Sequence, residues 1–182
     1  MPVQQPTEIK AKGSQGQAEI LQRRFLALDD KVRSELVIAL NQILADTMSL
    51  RDLYKKHHWQ TSGTHFYELH LLFDKHYEEQ SELIDIIGER IQTLGGDAVA
   101  IAADVAERTN IPRPPLRHEQ VGSQLFRLAQ AHEIVIGQTR TAVRRATELG
   151  DEGTNDVLVS NVLRLNEKQV WFIAQQLSGN SV

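Results

Sequence analysis

The chain of 182 residues contains no cysteine. That excludes disulfides, zinc ribbons and thiol catalysis together, and leaves His, Asp and Glu as the side chains able to hold a metal. The lack of disulfides fits a reducing compartment, and the cytoplasm is the default expectation. No long apolar run occurs, and the N-terminal region lacks an apolar stretch flanked by basic residues, so neither a membrane span nor a secretory signal is expected. A surplus of positive charge is also missing. Against 24 acidic side chains stand 20 basic ones, a formal net charge of −4 and a poor start for gripping phosphate backbones. What is present is ordinary for a packed protein: 41% hydrophobic and 24% charged residues, in a length that fits one domain with a real core.

Residues 1–16 are rich in Gln, Pro, Gly and Lys and read as a flexible tail, with one domain over 17–182. From Asp30 onward the apolar residues Leu36, Leu40, Ile43, Leu50 and Tyr54 fall at helical spacing and lead to His57 and His58. A turn over Gln60 to Thr64 precedes a second periodic run from about His65 to Leu94, closed by Gly95 and Gly96. The segment from Asp97 to His118 ends in Ile111-Pro112-Arg113-Pro114-Pro115 and cannot be helical throughout, so it reads as a crossover carrying one short helix. A third long helix is expected from about Glu119 to Leu149, stopping at Gly150, and a fourth from about Thr154 to Leu177. No strand pattern or internal repeat competes. Two short joints flanking one long crossover give an all-α, ferritin-like four-helix bundle rather than a plain up-down-up-down bundle.

Five residues of metal-ligand type stand at helical intervals: His58 near the end of the first helix, then His70 and Asp74, and Asp85 and Glu89, on the second. Each pair on the second helix is spaced i, i+4, so its side chains share a face and can reach one ion. One such pair is weak evidence, since helical carboxylates are usually just solvated. On a wheel of about 100° per residue all four lie within about 100° and form one stripe. Leu69, Phe73, Ile84, Ile87 and Ile91 line the adjoining face that packs into the bundle. Leu71, Leu72, Leu83 and Ile86 occupy a further face that needs a partner, for which a second copy of the chain is the simplest candidate. Asp74 and Asp85 are about 16 Å apart along a straight helix, whereas a ligand atom sits about 2 Å from its ion. One chain's second helix therefore cannot close the site alone. Two copies meeting antiparallel across a two-fold axis bring His70 and Asp74 of one level with Asp85 and Glu89 of the other. No Glu-x-x-His occurs, so the design with ligands inside a single bundle is disfavoured.

The run His57-His58-Trp59-Gln60, then Phe66, His70-x-x-x-Asp74, Asp85-x-x-Gly88-Glu89-Arg90 and Leu94-Gly95-Gly96 resembles the signature of the Dps family. Asn166-Glu167-Lys168-x-x-Trp171-Phe172 resembles the last helix of those proteins, and the similarity runs from about residue 30 to the end. Gln60 stands where Asn is common and Gly88 where Ala is common, while all five ligand positions are kept. The resemblance implies that His58, His70 and Asp74 of one subunit and Asp85 and Glu89 of its mate bind ferrous iron. It implies oxidation with hydrogen peroxide as the preferred oxidant, ferric mineral stored in a hollow shell, and a dodecamer. Zinc competes for the same donor types. It also implies that Trp59 lines the site and is oxidised in place of freer radicals; a helix-end aromatic anchoring the hairpin is an equal reading.

His57, His65 and His76 each lie off the inferred site or read equally as surface histidines. Trp171 reads as core or interface packing. Glu148, Asp151, Glu152 and Asp156 form an acidic cluster near the last joint, and such carboxylates line three-fold pores in the resembling family; acids favouring a helix start are the plainer reading. Arg140, Arg144 and Arg145 read as a solvated face or as salt-bridge partners. For DNA the tail offers just Lys10 and Lys12 against Glu8, a modest charge even when repeated around an oligomer. A DNA-compacting protein with secondary metal binding is the main alternative, and a helical adaptor whose stripe is merely an interface is the next.

Overall fold

The computed structural model describes residues 26–179 of the chain. The tail expected over residues 1–16, with Lys10 and Lys12, lies outside the described residues. The elements are α1 (Asp30–Gln60), α2 (Phe66–Thr93), a short α3 (Ala102–Arg108), α4 (Val121–Leu149), α5 (Glu152–Asp156), a π-helical segment (Val157–Leu163) and α6 (Arg164–Gly179). Backbone dihedrals stay helical through both junctions of the last three, so they form one rod. The architecture is a four-helix bundle with the long crossover between its second and third helices, as the spacing of periodic segments requires. Among the described residues no helix is long and apolar enough to cross a membrane.

The helices form for local reasons and are held by one core. α1 packs along α2 and α4, and α4 along α6. Leu36, Leu40, Ile43, Leu50, Tyr54, Leu69, Phe73, Ile87, Leu125, Val135, Leu158 and Ile173 are buried together between them. α4 ends at Gly150, whose φ of 71° is the left-handed geometry that glycine reaches without strain. Gly96 is needed for a different reason: a Cβ there would stand 2.4 Å from Val37 Cγ1, inside contact distance.

The fourth helix begins two residues earlier than Thr154. Asp151 is its N-cap, accepting hydrogen bonds from the backbone N–H of Thr154 at 2.9 Å and its hydroxyl at 2.6 Å. The π segment also has a physical use. Thr154, Leu158, Val162 and Asn166 repeat every four residues and are all fully buried. An α-helix would turn each of them about 40° from the last, while the wider i→i+5 turn holds a four-residue repeat on the inward face.

The crossover is fastened by polar groups of α1. Asn41 donates to Asp97 O at 3.0 Å and accepts from Val99 N at 2.8 Å, and Asp46 accepts from the Thr109 hydroxyl at 2.9 Å and Asn110 N at 2.6 Å. Leu83 corrects the reading of α2's faces. It is buried in the chain's own core, while Leu71 is half exposed and Leu72 and Ile86 partly so; on the wheel Leu83 lies beside Ile87, on the core side of the boundary.

Candidate metal centre

The first half of the stripe is built where α1 ends and α2 begins. The carbonyls of the last turn of α1 have no intrahelical partner, and His58 O is one of them. It accepts from Nδ1 of His70 at 2.9 Å, and His70 O accepts from Nδ1 of His58 at the same distance. A carbonyl oxygen can only accept, so both rings carry a proton on Nδ1, and the neutral tautomer this selects keeps its lone pair on Nε2. Hydrogen bonding of the second nitrogen is how a protein orients an imidazole and fixes its tautomer for metal binding. The two rings stack with centroids 3.6 Å apart. The two imidazoles therefore stand side by side with the same tautomer selected.

Asp74 lies next to them, its Oδ1 3.7 Å from His58 Nδ1. The same oxygen accepts from the Lys55 ammonium at 2.5 Å. That hydrogen bond and charge, with His58 and His70 nearby, hold the Asp74 carboxyl below its ordinary pKa against the opposing pull of burial. Asp74 is therefore ionised, as a ligand must be, with a cation already beside it. Lys55 carried no signal in the sequence; its place one turn before His58, facing Asp74, was the available hint.

Asp85 and Glu89 stand apart, exposed on the far part of α2, where they border a shallow groove of about 570 Å³ with Leu44, Met48, Gln92 and Val99. Among the described residues no three His, Asp or Glu side chains of the single chain converge as a metal-binding group. The fold sets His58 against His70 with Asp74 nearby, and leaves Asp85 and Glu89 about three to four turns further along α2. Trp59, beside the histidines, is 74% exposed, and Phe66, Tyr67 and Leu71 on the same end of α2 are exposed as well.

Several other assignments change. His57 and His76 are not surface histidines: both are buried, and burial pushes their pKa values down to about 3 and about 4. Only His65 of those three is exposed. Asp151 is buried rather than open to a pore. Its carboxylate meets Arg90 at 2.7 Å and caps the fourth helix; those bonds hold its pKa low although burial pushes it up. Glu152 and Asp156 remain exposed. Trp171 is largely exposed, with its ring against Phe172, so of its two readings the core one falls and the interface one stays open. Arg140 pairs with Glu167, and Arg145 with Glu35 and Glu148, as salt-bridge partners.

The likenesses to known proteins agree with this geometry. DpsC from Streptomyces coelicolor superposes with a TM-score of 0.83 at 53% identity, covering 84% of this chain and 88% of that one. Dps from Vibrio cholerae, described as a member of a broad superfamily of ferritin-like diiron-carboxylate proteins, superposes with a TM-score of 0.79 at 29% identity over 84% of this chain and 95% of its own. A nutrient stress-induced DNA-binding protein of Nostoc is 30% identical over 155 residues, 85% of this chain and 84% of its own length. With the ferritin-like domain model matching residues 37–180 as well, the chain belongs to the Dps family of ferritin-like proteins.

Proposed function

We propose that the protein oxidises ferrous iron at sites shared between two-fold related copies, using hydrogen peroxide as oxidant, and keeps the ferric product as mineral inside a twelve-subunit shell. The observation that carries this reading is the reciprocal clasp of His58 and His70. It selects the tautomer that leaves Nε2 of each ring free to bind a metal, with an ionised Asp74 nearby, donor types suited to Fe²⁺. Asp85 and Glu89 of the mate would complete it, and each pair of copies would carry two such sites. The exposed Trp59, Phe66, Tyr67 and Leu71 around the clasp support cover by a second copy, because monomers rarely leave so much apolar surface open. The diiron-carboxylate description of the Vibrio relative supports iron as substrate.

Chemically, the chain's residues would hold two ferrous ions at one place, and each ion would give one electron to a peroxide molecule, whose O–O bond breaks and which takes two protons from solvent to leave as two waters. Asp74, Asp85 and Glu89 neutralise the ferric charge as it develops, and Trp59 stands ready to be oxidised by any radical that escapes. Glu152 and Asp156 at the exposed start of the fourth helix would draw cations inward electrostatically. Zinc would compete for the same ligands.

Anaerobic Fe²⁺ titration of the sized oligomer, followed by one pulse of peroxide and one of oxygen, tests the reading. Saturable binding and fast peroxide-driven oxidation are expected; no binding and no acceleration over a protein-free control would remove it. The names of relatives, including a DNA protection during starvation protein of Agrobacterium fabrum, favour DNA binding as a second reading. The net charge of −4 argues that any such binding is weak and confined to low salt, which gel retardation across a salt series would show.

A further inference from the structure

The bundle core holds a polar chain that the iron site does not use. Tyr54 of α1 is fully buried, with its phenol oxygen 2.6 Å from Nε2 of His132 on α4 and 3.0 Å from Nδ1 of His76 on α2. The direction of each bond follows from its neighbours. Asn166 donates through Nδ2 to Val162 O at 2.7 Å, which turns its Oδ1 toward His132 Nδ1 at 2.9 Å. An amide oxygen can only accept, so His132 carries its proton on Nδ1 and its bare Nε2 accepts from the Tyr54 O–H. The Tyr54 oxygen in turn accepts from His76 Nδ1–H.

A phenol already donating to a neutral imidazole can lose an electron and a proton together. The oxidised phenol is a far stronger acid than an imidazolium, even one disfavoured by burial. Location matters as much as chemistry. Tyr54 stands one helical turn before His58 on α1, about 6 Å of rise. Its ring also lies 6.0 Å from that of Phe73, the residue preceding Asp74. The other two tyrosines are poorer donors. Tyr77 has the Lys55 ammonium 4.1 Å and the Arg51 guanidinium 6.0 Å from its ring centre, and nearby cations oppose loss of an electron. Among the described residues of the chain, no imidazole is hydrogen-bonded to the Tyr67 hydroxyl to take its proton. A network of this kind is also a costly way to fill a core, where apolar side chains would pack without polar groups to satisfy.

We propose that Tyr54 is a one-electron donor to the iron site, with His132 taking its proton. The inference rests on the ferroxidase reading above. Peroxide needs two electrons, which a site holding two ferrous ions supplies and a site holding one does not. With one ion present, Fe²⁺ gives one electron and becomes Fe³⁺. Tyr54 gives the other, its O–H bond breaks, and the proton moves to Nε2 of His132. The O–O bond of hydrogen peroxide breaks, and two protons from solvent complete two waters. The half-filled site thus yields a ferric ion and a tyrosyl radical hydrogen-bonded to an imidazolium, in place of a free hydroxyl radical.

The test uses the assembled, full-length oligomer loaded anaerobically with one Fe²⁺ per site, mixed with peroxide and frozen for electron paramagnetic resonance. A tyrosyl signal is expected that narrows when ring-deuterated tyrosine is incorporated, carries an exchangeable proton hydrogen-bonded to its oxygen, and shrinks when two Fe²⁺ per site are loaded. Tyr54→Phe should lose it while keeping oligomer size and Fe²⁺ affinity. The chain has three tyrosines, so a Tyr67→Phe, Tyr77→Phe double variant leaves Tyr54 alone with its core untouched and should keep the signal. Fast iron oxidation without a tyrosyl signal in that double variant, or a signal indifferent to tyrosine deuteration, would overturn the inference and leave the ferroxidase reading standing. Absence of fast peroxide-driven oxidation in the native protein would remove both.

Discussion

Replacing Lys55 with Met should tighten Fe²⁺ binding. The Lys55 ammonium is 2.5 Å from Asp74 Oδ1, and an iron ion bound there would stand about 2 Å from a carboxylate oxygen, so the two cations would be about 4 Å apart. At the dielectric of water, a charge of one facing a charge of two at that distance repels by about 2 kcal/mol. Both side chains are partly open to solvent, so Lys55 can swing aside and salt screens what remains. The expected gain is about 1–2 kcal/mol, or roughly five- to thirtyfold in affinity. Methionine keeps an unbranched stem over Tyr77, which separates the loss of charge from the loss of packing. Anaerobic titration calorimetry at low and high salt would read the effect, with the gain shrinking as salt rises. An affinity unchanged or weakened in the variant would refute the placement of iron at Asp74.

Asp74→Asn combined with Glu89→Gln should abolish fast iron oxidation in stopped-flow absorbance while size-exclusion chromatography shows an intact oligomer. Rapid oxidation surviving both changes would show that iron binds elsewhere. Arg90→Ala strands the buried Asp151 carboxylate at the start of the fourth helix and should cost about 3 kcal/mol in denaturant unfolding, with Asp151→Asn in the same chain restoring part of it. Burial depresses the pKa values of His57, His76 and His132 to about 3, about 4 and about 3, against the ordinary 6.5 of histidine. Below 6.5 the unfolded chain therefore takes up protons that the folded chain refuses. Their contribution is present in full above that pH and falls toward pH 4, by up to about 1.4 kcal/mol per pH unit for each histidine. Urea midpoints that stay flat from neutral pH down through that window would contradict the burial of these rings.

Much of the fold was legible because long helices announce themselves. Leu36, Leu40, Ile43 and Leu50 repeat at the period of one face, and Gly95-Gly96, the proline run and Gly150 mark the stops. The ends were less certain where a side chain rather than a pattern decides them. Asp151 caps the fourth helix, but an acidic residue beside other acids reads equally as a solvated cluster. The π segment was hidden because its signal is a strict four-residue spacing, which an α-helix with one polar inward residue also shows.

In the site, the i, i+4 pairs marked candidate metal donors but not which atoms they present. That depends on an unpaired carbonyl at the end of one helix meeting a ring from the next. Lys55 escaped notice because a lysine three residues from a candidate ligand is ordinary in sequence and becomes specific only when α1 and α2 pack. The Tyr54, His76, His132 and Asn166 chain draws one residue from each of four helices. No periodicity could have joined them, and the buried histidines looked like surface ones for that reason.

The central claim is that each iron site takes His58, His70 and Asp74 from one copy and Asp85 and Glu89 from another, and subunit mixing tests it most directly. His70→Ala chains and Glu89→Ala chains would each be assembled alone, then dissociated and reassembled together in equal amounts, with peroxide-driven Fe²⁺ oxidation measured each time. Shared sites predict two inactive parents and a mixture that recovers about a quarter of the native activity, because half the two-fold pairs are mixed and each mixed pair holds one intact site. A mixture as inactive as its parents, from oligomers shown to contain both chains, would contradict the account.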